Sequence, residues 1–223
     1  MGKLIVFEGT DGTGKSTQCA RACKRLEAQG VRFQNIKFPQ YDEPSSALIK
    51  MYLAGEFGKD PDTINPYAAS TFYAVDRYAG FARGWKAFYD EGGVIVCDRY
   101  TTSNAVHQGS KVPEAERAEF FRWLYDLEYD RMGLPRPDLV VLLDMPVEVS
   151  EQLMRKREQS TGTHADIHER DEAYLEKCRA VARQAAEYYG WKRVSCVQSG
   201  TLRSVEEIHE EVFSIVRTCL KGE

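Results

Sequence analysis

The run FEGTDGTGKST, Phe7 to Thr17, constrains this chain more than any other stretch of it. It fits the frame G-x-x-x-x-G-K-[ST] with Gly9, Gly14, Lys15 and Ser16, follows the strand-like KLIVFE and opens the helical KSTQCARACKRLEAQG. Strand, glycine loop and helix in that order let backbone N–H groups cradle phosphate oxygens while the lysine reaches the terminal phosphates and the serine hydroxyl meets magnesium. A lysine at a helix start is unfavourable against the helix dipole unless an anion is bound, so Lys15 itself argues for a phosphate. ATP or GTP with magnesium is the expected first ligand, touching Gly9, Thr10, Asp11, Gly12, Thr13, Gly14, Lys15, Ser16 and Thr17. Asp11 is the misfit, because a carboxylate inside an anion nest must point away from the phosphates.

The rest of the chain has the rhythm of an α/β fold with a parallel sheet. Short apolar runs (KLIVFE; VRFQNIKF at 31–38; VIVC at 94–97; LVVLL at 139–143; RVSCVQ at 193–198) alternate with longer helical patterns. LIVF and LVVLL are continuously apolar and read as central strands covered on both faces. Asn65-Pro66, Pro113 and Pro146 mark helix starts, and Ser204 three residues before Glu207 has capping-box spacing. No linker or repeat divides the 223 residues, which read as one domain. The polar, glycine-bearing stretch from Arg155 to Arg170 lacks apolar residues to pack firmly and reads as a mobile lid.

Composition narrows the partners. Thirty basic against 34 acidic residues give a net charge of −4, so no global positive field points to nucleic acid. No apolar run approaches the roughly 20 residues of a membrane span. The six cysteines show no C-x-x-C or paired ligand spacing, and the N-terminus begins directly with a strand-like run, so a cytoplasmic location is expected.

Phosphoryl transfer needs cations for the migrating charge and carboxylates for metal, and strand ends are where open α/β sheets place them. Asp98 and Arg99 follow VIVC directly; Asp98 suits the magnesium shell and Arg99 a phosphate. Arg155 and Arg157 at the start of the lid could close over the transferred group. Asp144, after LVVLL, reads as structural. The helix opened by Asn65-Pro66 carries Ala68, Phe72, Val75, Ala79 and Ala82 as a stripe expected to pack on the sheet. Tyr73 and Arg77 fall on another face as neighbours four apart, an aromatic plate beside a guanidinium suited to stacking a base and bonding its edge.

In combination these residues resemble the thymidylate kinase family, the nucleoside monophosphate kinases that phosphorylate dTMP. The resemblance runs through FEGTDGTGKST, Phe38-Pro39, FYAVDR at 72–77, DRY at 98–100 with Ser103 and HQG at 107–109, and LDMP at 143–146. It implies a P-loop kinase with a five-stranded parallel sheet flanked by helices on both faces, usually homodimeric, with ATP on the loop. It places dTMP between the Tyr73 helix and the segment after Asp98, where Ser103, Asn104, His107 and Gln108 would line the pocket. By the same resemblance Tyr73 stacks the base, Arg77 reads it, Arg99 holds the monophosphate, and Asp11 faces the acceptor's 3′-hydroxyl. Gly12, where some relatives carry an arginine, resembles the branch whose catalytic arginines lie in the lid. FPQYDEP lacks the arginine usual near FP, and His107 stands where a tyrosine commonly precedes QG. The same loop and pocket would serve a monophosphate kinase of another base preference. A nucleotide-dependent switch would share the loop but not the transfer.

Overall fold

The structure, a computed structural model, describes residues 1–58, 63–161 and 172–222, with backbone alone for 156–161 and 172. Five parallel strands, β1 (Lys3–Glu8), β2 (Phe33–Lys37), β3 (Val94–Asp98), β4 (Leu139–Asp144) and β5 (Lys192–Ser195), lie in the order β2-β3-β1-β4-β5. The helices are α1 (Lys15–Ala28), α2 (Ala47–Leu53), α3 (Pro66–Gly80), α4 (Lys86–Asp90), α5 (Thr101–His107), α6 (Arg117–Tyr125), α7 (Val147–Thr161), α8 (Glu172–Tyr189) and α9 (Val205–Lys221).

The period of two along each strand sorts the apolar residues onto two cores. Leu4, Val6, Ile95, Cys97, Val140 and Leu142 face an aromatic-rich layer that includes Trp85, Phe120, Phe121 and Trp191. Ile5, Phe7, Val94, Val96, Val141, Leu143 and Val194 face α1 and α9 through Cys19, Leu26, Val212 and Phe213. Each large aliphatic side chain so buried contributes about 1.5–3 kcal/mol. β1 and β4 are buried along nearly their whole length, as their unbroken apolar runs require, whereas the edge strand β2 is only partly covered. After β1 the chain visits the β2 edge, returns to β3 and then crosses to β4 on the other side of β1. The loops therefore part at the carboxyl end of β1, the position where open sheets of this kind take their ligands.

Helix starts follow the sequence closely at two places. The Asn65 side chain accepts from Ala68 N at 2.9 Å with Pro66 in the first turn, and Ser204 and Glu207 form a reciprocal capping box at the start of α9. Three expectations need correction. The α3 face that packs inward carries Ala69, Ser70, Ala74, Asp76, Arg77 and Gly80. Val75 and Ala82, from the expected stripe, are exposed and Ala68, Phe72 and Ala79 only half-buried. Apolar periodicity misplaces this face because a buried ion pair, rather than aliphatic packing, anchors the helix. The run RVSCVQ is one strand only to Ser195; Val197–Gln198 pairs antiparallel with Thr201–Leu202 in a separate hairpin, turned by Ser199 (φ 50°) and Gly200 (φ 77°). Pro113 precedes a short 3-10 turn, and α6 begins only at Arg117.

Candidate active site

The loop from Gly9 to Gly14 leaves the central strand and turns into α1 through Gly14, whose φ of 80° is left-handed and suits glycine. At Gly12, also left-handed at 79°, an added Cβ would lie 2.6 Å from the Ser150 carbonyl oxygen, so the loop packs directly on α7. Lys15 and Ser16 open α1 and both turn toward the end of β3. Lys15 Nζ is 3.2 Å from Asp98 Oδ1, and Ser16 Oγ donates to Asp98 Oδ2 at 2.7 Å. Burial draws the lysine pKa down, as does Arg99, while Asp98 opposes the fall. Burial would raise the Asp98 carboxyl, but Lys15 and the Ser16 hydrogen bond hold it below the usual range.

Arg99 follows Asp98 in sequence but faces the other way. Its φ of 69° is left-handed, a conformation that costs a non-glycine residue about 1–3 kcal/mol and is held only where surrounding contacts demand it. Those contacts are carboxylates: Arg99 donates to Asp11 and lies 3.6 Å from Glu8, whose side chain is fully buried. Glu8 also accepts from Thr102 Oγ1 at 2.6 Å, Ser103 Oγ at 2.7 Å and Gly9 N at 2.9 Å. Burial would raise the Asp11 carboxyl; Arg99, His107 and Lys15 override it and hold the group at about 2. Asp11 thus turns from the loop's anion nest toward Arg99.

Two cavities meet at this arginine. A cavity of about 460 Å³ runs over residues Thr10 to Gln18 and out to Met154, Leu202, Val205 and Ile208. A second, of about 270 Å³, is lined by all eight residues expected around the acceptor: Asp11, Tyr73, Arg77, Arg99, Ser103, Asn104, His107 and Gln108. Both have the size and mixed polar and apolar walls of small-molecule sites. Gly9 lines neither; it lies beneath the loop, where an added Cβ would meet the Leu143 carbonyl at 3.2 Å. Asp98 stands behind Lys15 and Ser16 rather than in either wall.

In the second cavity Tyr73 presents its ring beside Tyr52, centroids 6.5 Å apart at 88°, and burial pushes its hydroxyl pKa up. Arg77 is almost fully buried. Its Nε and Nη2 donate to the two oxygens of Glu128 at 2.6 Å each, and Nη1 reaches the Tyr100 carbonyl at 3.4 Å. Gln108 lines this cavity, and its Oε1 is buried without a hydrogen-bond partner among the described residues. His107 Nε2 lies 3.2 Å from Arg99 Nη1 and Nδ1 lies 3.1 Å from the Tyr174 hydroxyl. Since arginine only donates, Nε2 is the acceptor and Nδ1 carries the proton. Burial and the Arg99 charge lower the His107 pKa to about 4.

Arg155 is exposed on α7 and, among the described residues, reaches Glu151 at 3.4 Å. The backbone of α7 carries the start of the expected lid to Thr161, while the Arg157 side chain and residues 162–170 lie outside what is described. Asp144 is gripped by Arg179 at 3.2 Å and Arg183 at 2.9 Å, a structural ion cluster on the far side of the loop. Sequence reasoning missed Glu8, Lys37 and Glu128, together with the hairpin residues Leu202 and Arg203. Glu8 had a signal, an acid ending an apolar strand immediately before the glycine loop. Glu128 had none, because DLEYDR reads as a polar surface turn.

A glycine loop over one cavity, an aromatic and cationic second cavity, and charged groups where they touch define a P-loop nucleoside monophosphate kinase. The family model described as thymidylate kinase matches residues 7–212. The thymidylate kinase of Mycobacterium tuberculosis is 33% identical over 196 residues, covering 84% of this chain and 87% of the relative. A probable thymidylate kinase of Pyrococcus horikoshii is 30% identical over 221 residues, 99% and 98% of the two chains. The solved thymidylate kinase of Candida albicans, 21% identical, superposes over 100% of this chain and 94% of its own with a TM-score of 0.73, a likeness of fold. The chain belongs to the thymidylate kinase family.

Proposed function

We propose that this chain transfers the γ-phosphoryl group of ATP to dTMP, forming dTDP in deoxynucleotide synthesis. The observation that carries the reading is the shared wall: Asp11 and Arg99 line both the cavity over the phosphate loop and the cavity beside Tyr73. A donor phosphate on one side and an acceptor phosphate on the other would be brought together there, and catalysis of this transfer is mostly positioning and charge neutralisation. Tyr73 would stack the base, Arg77 and Gln108 would meet its edge, and Arg99 would hold the acceptor phosphate.

Magnesium fits the donor set. Ser16 Oγ and an Asp98 oxygen are 2.7 Å apart, hard oxygen ligands of the kind magnesium takes together with substrate phosphates and water. When bound, the ion would neutralise charge across the donor phosphates. Lys15 would act beside it, and Arg155 and Arg157 would close from the lid over residues 155–170 of a single catalytic domain.

A second reading shares everything but the base. Because Glu128 occupies two of the Arg77 donor directions, fewer N–H groups face the ligand, and this favours a base ranking wider than thymine alone. The decisive experiment is a product assay with ATP, magnesium and dTMP, dUMP, dGMP, dAMP or dCMP. Preferred turnover of dTMP is expected; efficient turnover of another monophosphate without dTMP would select the second reading, and nucleotide binding without transfer would leave only a switch.

We further infer a homodimer formed through α2 and α3, where Leu48, Val75 and Tyr78 are exposed. A cytoplasmic location accords with six free cysteines and with no helix, among the described residues, long and apolar enough to cross a membrane.

A further inference from the structure

Among the described residues, five cationic side chains line the two cavities, and four of them have carboxylate partners. Lys15 lies 3.2 Å from Asp98, Arg77 2.6 Å from Glu128, Arg203 2.6 Å from Glu211, and Arg99 donates to Asp11. Around the point where the cavities meet, Lys15 and Arg99 stand against the three carboxylates Glu8, Asp11 and Asp98. Counting the protein groups alone, that balance is negative, yet a monophosphate and a nucleoside triphosphate must both approach it, and magnesium at Ser16 and Asp98 would offset charge on the donor side only.

Lys37 is the fifth. It is the last residue of β2, in register with Asp98 of β3, so it stands at the same carboxyl edge of the sheet as the phosphate loop. With Asp11 and Arg99 it is one of three described residues that line both cavities. Its side chain is exposed and makes no ion pair or hydrogen bond with the described residues. A compact ammonium on a flexible four-carbon stem can follow a charge as it moves, which a guanidinium clamped by carboxylates cannot.

Resting on the kinase reading above, we propose that Lys37 is a catalytic residue whose ammonium contacts donor and acceptor phosphates together as the phosphoryl group crosses between the cavities. In that step an acceptor phosphate oxygen bonds to the γ-phosphorus, the bond from that phosphorus to its bridging oxygen breaks, and ADP leaves. Lys37 keeps its proton throughout and supplies charge alone. Because it bridges two anions, it contributes little to either ligand alone and most when both are present.

The test compares wild type, Lys37→Met and Lys37→Arg, with ADP, dTMP and a bisubstrate joining adenosine and thymidine through five phosphates as binding probes. Lys37→Met should lower kcat on the order of 100- to 1000-fold, the scale of one preorganised electrostatic donor. It should weaken the bisubstrate by about tenfold or more, on the scale of one charged contact. ADP alone and dTMP alone should bind within a factor of about two of wild type, and Lys37→Arg should recover much of the rate. An unchanged melting temperature, expected for an exposed side chain, excludes misfolding as the cause. Wild-type turnover and bisubstrate affinity in Lys37→Met would overturn the proposal, as would a loss confined to dTMP binding with saturated turnover intact. Absence of dTDP from the wild-type enzyme would overturn the dTMP reading instead, and the same variants would then be compared on the monophosphate that is turned over.

Discussion

Lys15 Nζ and Asp98 Oδ1 lie 3.2 Å apart, joining the first residue of α1 to the last residue of β3. The contact exists because β1 and β3 are neighbours in register, with Phe7 opposite Asp98, so the loop leaving one strand turns back over the end of the other. It leaves Asp98 engaged with both Lys15 and Ser16, the two loop residues proposed to meet donor phosphate and metal. Asp98→Asn keeps the shape and removes the charge. It should lower kcat on the order of 100-fold or more and raise the magnesium concentration needed for half-maximal rate. A magnesium titration of both enzymes checks this, and coincident curves would remove Asp98 from the metal shell.

Asp11 is oriented by Arg99, which donates to one of its oxygens, and a carboxylate has capacity for further donors. If that capacity serves the acceptor's 3′-hydroxyl, 3′-deoxy-dTMP should be a poorer substrate by tenfold to a hundredfold, the scale of roughly 1.5–3 kcal/mol for a charged hydrogen bond. Asp11→Ala should lose efficiency toward dTMP and lose little more when the hydroxyl is also removed. Independent, multiplicative losses in kcat/KM would show that the two groups do not meet.

The Arg77–Glu128 pair has almost no solvent contact, and Glu128 also accepts from Thr101 Oγ1 at 2.8 Å. Removing one member strands a buried charge. Glu128→Ala should destabilise the fold by about 3–5 kcal/mol, and pairing it with Arg77→Met should recover part of that loss. Urea unfolding midpoints of the two single variants and the double variant measure it. Simple additivity would mean the charges are not coupled.

That pair also shows where the sequence stops being legible. The five strands, the phosphate loop, the Asn65 and Ser204 caps and the strand-end pair Asp98 and Arg99 follow from local signals: apolar runs, glycine spacing, strand-end charges. Ser103, Asn104, His107 and Gln108 follow only from the family resemblance. The inward face of α3 does not, because Arg77 and Asp76 are buried by partners distant in the chain. Asp76 accepts from Gln40 N at 2.9 Å and Ser45 Oγ at 2.6 Å, and Arg77 from α3 meets Glu128 beyond α6. Hydrophobic periodicity assigns such positions to solvent. Lys37 escaped notice for a related reason: a lysine ending an edge strand looks like a gatekeeper until sheet order puts it beside Asp98.

Arg155 tests the lid. It lies on exposed α7 surface, 3.4 Å from Glu151, a pair of little energetic weight. If it acts only as the lid closes, Arg155→Ala should keep dTMP affinity and lose turnover. Equilibrium binding of dTMP alongside kcat separates the roles, since weakened binding with normal saturated turnover would move Arg155 to the acceptor site.

The last prediction concerns acid. His107 is held neutral by burial and by the Arg99 charge, its pKa at about 4 against an ordinary 6.5. The unfolded chain therefore binds a proton between about pH 6.5 and 4 that the folded chain refuses, and stability falls as pH drops through that window. The contribution is fully present above pH 6.5. His209 is also depressed, by burial and by Arg25 and Arg21, so the wild-type slope contains both histidines. Asp11, held at about 2, adds a separate loss nearer pH 4 to 2. His107→Gln removes one titration while keeping a neutral hydrogen-bonding side chain beside Arg99. At pH 7 the variant should be less stable than wild type by about 1 kcal/mol, the worth of an imperfectly replaced hydrogen bond. As pH falls from 6.5 to 4 the wild type alone pays the His107 proton, so the two stability curves should converge and then cross. Urea midpoints measured at half-unit pH steps decide it: curves that stay parallel through the window would mean that His107 titrates in the folded protein as it does in the unfolded chain.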